Sequence, residues 1–458
     1  MAKNKAVDMT TGPFLKKMLA FAFPLMLTGV LQLVYNAADS MVIGKFSGSA
    51  SLAAVGSTGS LVNLIINLFI GFATGAGVVT AHHIGARDSE RVSKCVHTSM
   101  ALGIISGFSV CFIGFFFSGT FLKLMGSPPD VLPLATLYLK IYFLGAPASL
   151  VYNFGAAIVR ANGDTKRPLY ILAFSGMVNV ILNLISVIVF KLDVAGVAIA
   201  TITSQIISAI LIVIRLVKLE DACRYYPKKT HIYKEELAFI AKIGVPAGIQ
   251  GSLFSFSNVL IQSTINSFGS ITMAGNTAAQ NADGFIYTCT NAIAQTAMTF
   301  TSQNTGAKKP ENLNRIYFRC LGLALVIGVA LGGLELIFAT PIIGIFTNDE
   351  AVIAAGTQRL RIMAATYFTC SLMDVSGGQI RGMGKSIQPM IITLLGACGI
   401  RVAWIYTVFR LNPTLNCLYM SYPISWVITF IALCTCYFIL KRGVAKKLCE
   451  QRTAPMNE

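Results

Sequence analysis

Between residues 18 and 440 the chain is an almost unbroken succession of apolar stretches, near 18–43, 52–80, 95–118, 132–157, 168–190, 194–214, 237–267, 274–301, 318–343, 357–379, 389–409 and 414–440. Each is about 20 residues or longer, enough for a helix to cross a hydrocarbon layer of roughly 30 Å, and none shows the two-residue alternation of a membrane β-strand. Hydrophobic residues make up 55% of the chain and charged residues 12%, with a mean hydropathy of +0.68. A soluble domain carries about 25% charged residues. The predicted fold class is therefore an all-α polytopic membrane protein with twelve transmembrane helices. The first stretch outlasts a signal-peptide core and has no early small-residue cleavage site, so it reads as a retained helix.

Charge placement predicts the orientation. All but eight of the 36 Lys and Arg residues lie at the termini or in loops after even-numbered stretches, which places those segments and both termini on the cytoplasmic side of a bacterial cytoplasmic membrane. Of the eight exceptions, Lys45, Lys123, Lys191, Arg359, Arg361 and Arg410 sit at or near the opposite, outer ends, while Lys140 and Arg401 fall within stretches. A net charge of +17 dispersed over short cytoplasmic pieces is a topology signal and argues against a nucleic-acid partner. The 11 cysteines include no CxxC pair and predict no disulfide framework. His82 and His83 adjoin in a basic loop while His97 and His231 stand alone, so no metal motif is read.

Laid on itself at an offset of 221 residues, the chain repeats. Gly85-Ala86-Arg87 falls on Gly306-Ala307-Lys308, Glu90 on Glu311, Arg160 on Arg381, Gly163 on Gly384 and Pro168 on Pro389, with Pro24 and Pro246 one residue out of register. Each half holds six stretches, an even number, so the copies share one membrane orientation. This predicts two six-helix bundles related by a parallel internal repeat, with a cavity at their interface, as in transporters. The charged connection Arg215–Lys242 sets the expected division: 1–220 as the first lobe, 221–236 as a cytoplasmic linker, and 237–458 as the second lobe with a cytoplasmic tail. Pro24 and Pro246, early in long stretches, are candidate kinks.

Inside the first stretch stands one acid, Asp39. A carboxylate at mid-bilayer depth costs roughly 3 kcal/mol or more, so it faces a bundle interior or a wet cavity. Gln32, Tyr35 and Asn36 precede it by helical spacings and share its face. Two readings follow: an acid satisfied locally by Asn36 and Tyr35, or a functional ionisable group. Other in-span polar residues, among them Asn63, Asn67, Asn153, Gln205 and Gln280, are read either as interhelical glue or as cavity lining. The 16 methionines and 29 phenylalanines assign no site.

Asn36-Ala-Ala-Asp39 with Ile43-Gly44, Leu52-Ala-Ala-Val-Gly56, Gln303-Asn304-x-Gly306-Ala307, Arg160-x-x-Gly163-Asp164 with Pro168, and Gly196-Val-Ala-Ile-Ala-Thr201 run in order through nearly the whole chain. In this the sequence resembles the multidrug and toxic compound extrusion (MATE) family, and within it the DinF/MepA-like bacterial branch. The resemblance implies a V-shaped pair of six-helix lobes around a central cavity, exporting organic cations or other amphiphiles in exchange for protons or sodium. No other cofactor is implied. It also implies a cation-coupling site of Asp39, Tyr35 and Asn36 with Asn179, Asn183 and Thr201. Asn183 departs from relatives that carry aspartate there; its amide can offer oxygen to sodium at Asp39 but does not titrate. From the residues alone, Asn179 and Asn183 also fit a helix-packing role.

The halves differ chemically, since no in-span acid is duplicated at the repeat offset. Some relatives bear a seventh-helix acid, whereas this chain offers Gln250, Asn258, Gln262 and Asn266 between Gly244 and Gly269. Asp374 and Asp283, with Gln280, Gln250, Asn258 and Asn153, are therefore the candidates for a second cation site or for substrate contact. Glu335, near a span end, is expected to be solvated or structural. Arg160 and Arg381 read as positive-inside charge at helix ends, with gating as the alternative. Arg401, inside a span, needs a carboxylate such as Asp374 or access to water. The function expected is export of a small cationic or amphiphilic molecule by a monomer in the bilayer. A flippase for a lipid or lipid-linked saccharide is the alternative, for which a wide basic cavity is the discriminating feature. A membrane enzyme, the third class, needs a clustered catalytic set, and the sequence shows none.

Overall fold

The structure, a computed structural model, describes residues 8–46, 49–125, 129 and 131–453. It is helical, with no strand among the described residues. In chain order the first half holds α1 (Phe14–Phe46), α2 (Ser49–Ala86), α3 (Ser89–Leu124), α4 (Leu132–Leu144), α5 (Ala146–Ala161), α6 (Lys166–Leu184) and α7 (Asp193–Val217). The second holds α8 (Lys234–Asn266), α9 (Ser270–Gly306), α10 (Pro310–Ile337), α11 (Ala339–Gly344), α12 (Glu350–Gly382), α13 (Ile387–Thr393), α14 (Ile400–Tyr406), α15 (Val408–Leu411) and α16 (Leu415–Thr453). Single π-helical turns, Ile185–Val189 and Leu394–Gly399, extend α6 and join α13 to α14.

All twelve expected crossings find a helix. Among the described residues, 9 spans are long and apolar enough by themselves, and α4 with α5 makes a tenth, bent by 47°. The bend has a local cause: Pro147 in the first turn of α5 lacks the N–H that would continue α4, and it follows Gly145. The remaining crossings, α9 and α12, are long, at 37 and 33 residues, but polar. They can be so because they form the most extensive helix pairing of the chain and bury their polar groups against each other. A Cβ on Gly378 would lie 2.6 Å from the Ala294 carbonyl oxygen, and one on Gly382 2.5 Å from that of Met298, so the backbones touch through glycine. Thr301 Oγ1 donates to Gln379 Oε1 at 2.7 Å along the same seam.

The repeat is visible in the backbone. Arg87 and Lys308, 221 apart in the sequence, both take positive φ, at 57° and 52°, just after α2 and α9. Gly163 and Gly384, at the same offset, take 88° and 77° in the turns before α6 and α13. Left-handed backbone favours glycine at that second pair.

By contacts the chain separates into two units, one comprising Leu27–Gly248 and the other Met9–Met26 with the chain from Ile249 onward. The sequence placed the division at residues 221–236. The first helix of each half instead changes unit partway along, two residues after Pro24 in α1 and two after Pro246 in α8, while both helices run on through their prolines. Phe14, Met18, Phe21 and Leu25 of α1 accordingly pack with Ile293, Phe300 and Ile316 in the second unit. Lys234–Gly248 of α8 packs in the first unit, where Gly71 and Gly75 of α2 meet Gly244 and Gly248 with no room for a Cβ. The basic loop expected at His82 and His83 is the last turn of α2, which runs on to Ala86 and ends where Arg87 takes a positive φ. His83 Nε2 lies 2.9 Å from Glu236 Oε2 in the first turn of α8, and both are buried.

Candidate functional site

In the first unit, α1 carries Asp39 against α6. Asn183 donates through Nδ2 to Asp39 Oδ1, and the same nitrogen stands 3.4 Å from Asn179 Oδ1. Four residues apart, Asn179 and Asn183 share the buried face of α6. Asn183 is fully buried, and its own Oδ1 has no hydrogen-bond partner. Tyr35, one turn before Asp39, donates its hydroxyl to the Ala173 carbonyl at 3.1 Å. Its ring rests on Gly176, where a Cβ would come within 1.9 Å of it, so the glycine makes the approach feasible.

Two members of the expected set are not drawn into this contact. Asn36 faces outward from α1, and Thr201 Oγ1 donates to Val197 O at 2.9 Å within α7. Two unexpected tyrosines enter instead, Tyr138 and Tyr142 of α4, which lie within electrostatic reach of Asp39. Their spacing of four in a crossing was the available signal. Among the described residues, no lysine, arginine or histidine forms an ion pair with Asp39.

Asp283 in the second unit is the opposite case. Its Oδ2 accepts from Arg359 Nη1 at 2.6 Å, with the two residues only 6% and 4% exposed. Arg359, expected near an outer end, reaches inward from the third turn of α12 to neutralise it. Glu335 is buried beside the pair rather than solvated, and its Oε2 lacks a partner.

Asp374 lies within electrostatic reach of Arg381, which donates to Gln250 Oε1 at 2.6 Å. Arg381 is thus turned into the unit and is more than a helix-end charge. Arg401 does not meet Asp374; its Nε donates to Ser425 Oγ at 2.9 Å among aromatic rings. The amides near the start of α9 pair with α8: Asn276 and Gln280 both donate to Gln262 Oε1, at 2.8 and 3.4 Å. Asn258 is exposed on α8, and Asn153 donates to the Ser149 carbonyl of its own helix.

A twelve-crossing helical protein with an internal repeat, and with an acid inside a crossing that has no basic partner among the described residues, has the build of a secondary transporter. A profile of the MatE family matches residues 24–185 and 246–407, two segments whose starts fall within one residue of the repeat offset, and the chain belongs to that family. Among similar proteins, the probable multidrug resistance protein YpnP of Bacillus subtilis (strain 168) is 29% identical over 393 residues, 85% of this chain and 87% of that protein. The multidrug export protein MepA of Staphylococcus aureus (strain NCTC 8325 / PS 47) is 24% identical over 394 residues, 86% of this chain and 87% of its own length. A solved structure described as the outward-facing conformation of a multidrug resistance MATE family transporter of the MOP superfamily has the same fold. It superposes with a TM-score of 0.89 at 22% identity, covering 98% of this chain and all of the other.

Proposed function

We propose that the protein is an efflux transporter, not an enzyme, that exports small cationic or amphiphilic organic molecules by alternating access. Export is driven by entry of protons or sodium at Asp39. The observation that carries this reading is the difference between the acids within crossings. Asp283 is neutralised by a permanent cation of the protein, whereas Asp39 has no such partner among the described residues and is left to a cation from solution. Asn183 holds one carboxylate oxygen through its amide nitrogen. Turning that amide about its terminal bond would present oxygen to a metal ion instead, with Asn179 and Tyr35 beside it. A proton needs no such turn, since it binds a carboxylate oxygen directly. Proton and sodium therefore compete for one carboxylate, and the loaded or empty state of Asp39 biases the position of α1 against α6. Asp374, beside Arg381, is the candidate for a second contact with cation or substrate.

Both termini lie in the cytoplasm on this reading, from the distribution of lysine and arginine. The flippase alternative gains no support from Arg401, which aromatic rings enclose, or from Lys140, whose ammonium stands 5.7 Å from the Phe115 ring centroid. The test is transport of a cationic dye such as ethidium by purified protein in liposomes, with pH and sodium gradients imposed separately. Dye movement driven by at least one gradient, and lost in Asp39→Asn at equal reconstitution, is expected. Transport that needs neither gradient, or an unimpaired Asp39→Asn, would overturn the reading.

A further inference from the structure

Arg401 stands at the start of α14, directly after the π-helical turn, and is 1% exposed. Its guanidinium carbon lies 4.2 Å from the ring centroid of Tyr422, 5.4 Å from that of Phe254 and 5.7 Å from that of Trp426. Rings over its faces stabilise the charge but accept little from the N–H groups in its plane. Ser425 takes the bond from Nε. Tyr422, Cys370, Cys398 and Tyr367 surround Arg401 electrostatically, and among the described residues no carboxylate forms an ion pair with it. Arg401 Nη2 and the nearby Trp426 Nε1 are both buried donors without an acceptor. A buried cation without an ion-pair partner among the described residues, with two idle donors, lacks one negatively charged acceptor.

We propose that Arg401 and Trp426 form a binding site for one small monovalent anion of halide type, which accepts from Nη2 and Nε1. The enclosing rings favour a weakly hydrated ion over a phosphate or sulfate, whose dehydration costs far more. The site lies in the second unit and involves neither Asp39 nor any group proposed for coupling, so each proposal can fail without the other.

The protein has 2 tryptophans, Trp404 and Trp426, so Trp404→Phe leaves Trp426 as the sole tryptophan, excited selectively at the red edge of the absorption band, beyond tyrosine. Iodide is the probe, added to the purified full-length variant at constant ionic strength with methanesulfonate as the balancing anion. Occupancy predicts quenching that saturates with iodide, is reversed by chloride, and is unchanged between about pH 6 and 8 because arginine stays charged. In Trp404→Phe/Arg401→Gln the half-saturating iodide concentration should rise at least tenfold. Trp404→Phe/Arg401→Lys, which keeps the charge but loses the planar fork, should bind at least threefold more weakly and covers the case in which the Gln variant does not fold. In Trp404→Phe/Asp39→Asn the curve should be unchanged. Absent or linear quenching, saturation indifferent to chloride, or an unchanged curve in a folded Arg401 variant would overturn the proposal.

Discussion

Replacing Asp283 by Asn keeps the side chain's size and removes the charge that neutralises Arg359. Donor and acceptor lie 2.6 Å apart and both residues are buried, so the guanidinium would be left in a low-dielectric interior without its counter-ion. Breaking such a pair from one side costs about 3–5 kcal/mol. At about 2–4 °C per kcal/mol for a domain of this size, the melting temperature should fall by about 6–20 °C. Size-exclusion of a fluorescent fusion after heating in detergent reads this directly, as the temperature at which half the monodisperse peak is lost. Asp39→Asn makes the same chemical change where there is no basic partner among the described residues and Asn183 can still donate to the new amide oxygen. It should cost about 1 kcal/mol or less. Replacing both partners, Asp283→Leu with Arg359→Met, should recover most of the loss, because a buried pair exchanged whole for apolar groups is close to neutral. An Asp283→Asn protein that melts with the parent yet fails to export would refute the assignment of Asp283 as a structural neutraliser.

Gly176→Ala places a Cβ 1.9 Å from the Tyr35 ring, so the ring must move and release Ala173. Dye export should fall several-fold at a stability cost of about 1–3 kcal/mol, while Tyr35→Phe should affect export alone. Gly71→Ala places a Cβ 2.2 Å from the Gly248 backbone nitrogen, which cannot yield as a side chain would. Its melting temperature should drop by more than that of Gly322→Ala, where the space is open. In a cysteine-free background, a single cysteine at Asp349 should react with an impermeant thiol reagent added outside intact cells, and cysteines at Asp88, Lys229 and Lys309 should not. Ser127, the other outer position expected from the sequence, lies outside the described residues.

What the sequence revealed was what is written locally or at a fixed offset. Ten of the twelve crossings follow from apolar length, and the repeat from residues such as Gly163 and Gly384, whose positive φ restricts what can stand there. Asp39 stood out because a charge in an apolar helix is conspicuous, and the pairing of Asn179 with Asn183 is helical spacing. The Asp283–Arg359 pair was not legible, because its members lie 76 residues apart on different helices and Arg359 counted as an outer-end charge. Tyr138 and Tyr142 read as ordinary crossing aromatics, and only the fold brings them within electrostatic reach of Asp39. The unit boundaries were hidden for a related reason. Charge marks the linker between halves, but contacts decide where a helix belongs, and α1 and α8 each change unit in the turn after a proline.

The account rests on Asp39 as the one carboxylate for which two cations compete, and sodium binding to purified protein across a pH series tests that claim most directly. Apparent sodium affinity should weaken as pH falls, approaching tenfold per pH unit once Asp39 is mostly protonated, because each sodium bound then displaces one proton. Asn183→Ala should weaken sodium binding more than proton uptake, and Asn183→Asp should add a second titrating step. Sodium binding that is indifferent to pH across the titration of Asp39, or that persists unchanged in Asp39→Asn, would contradict the account and move the coupling site to Asp374.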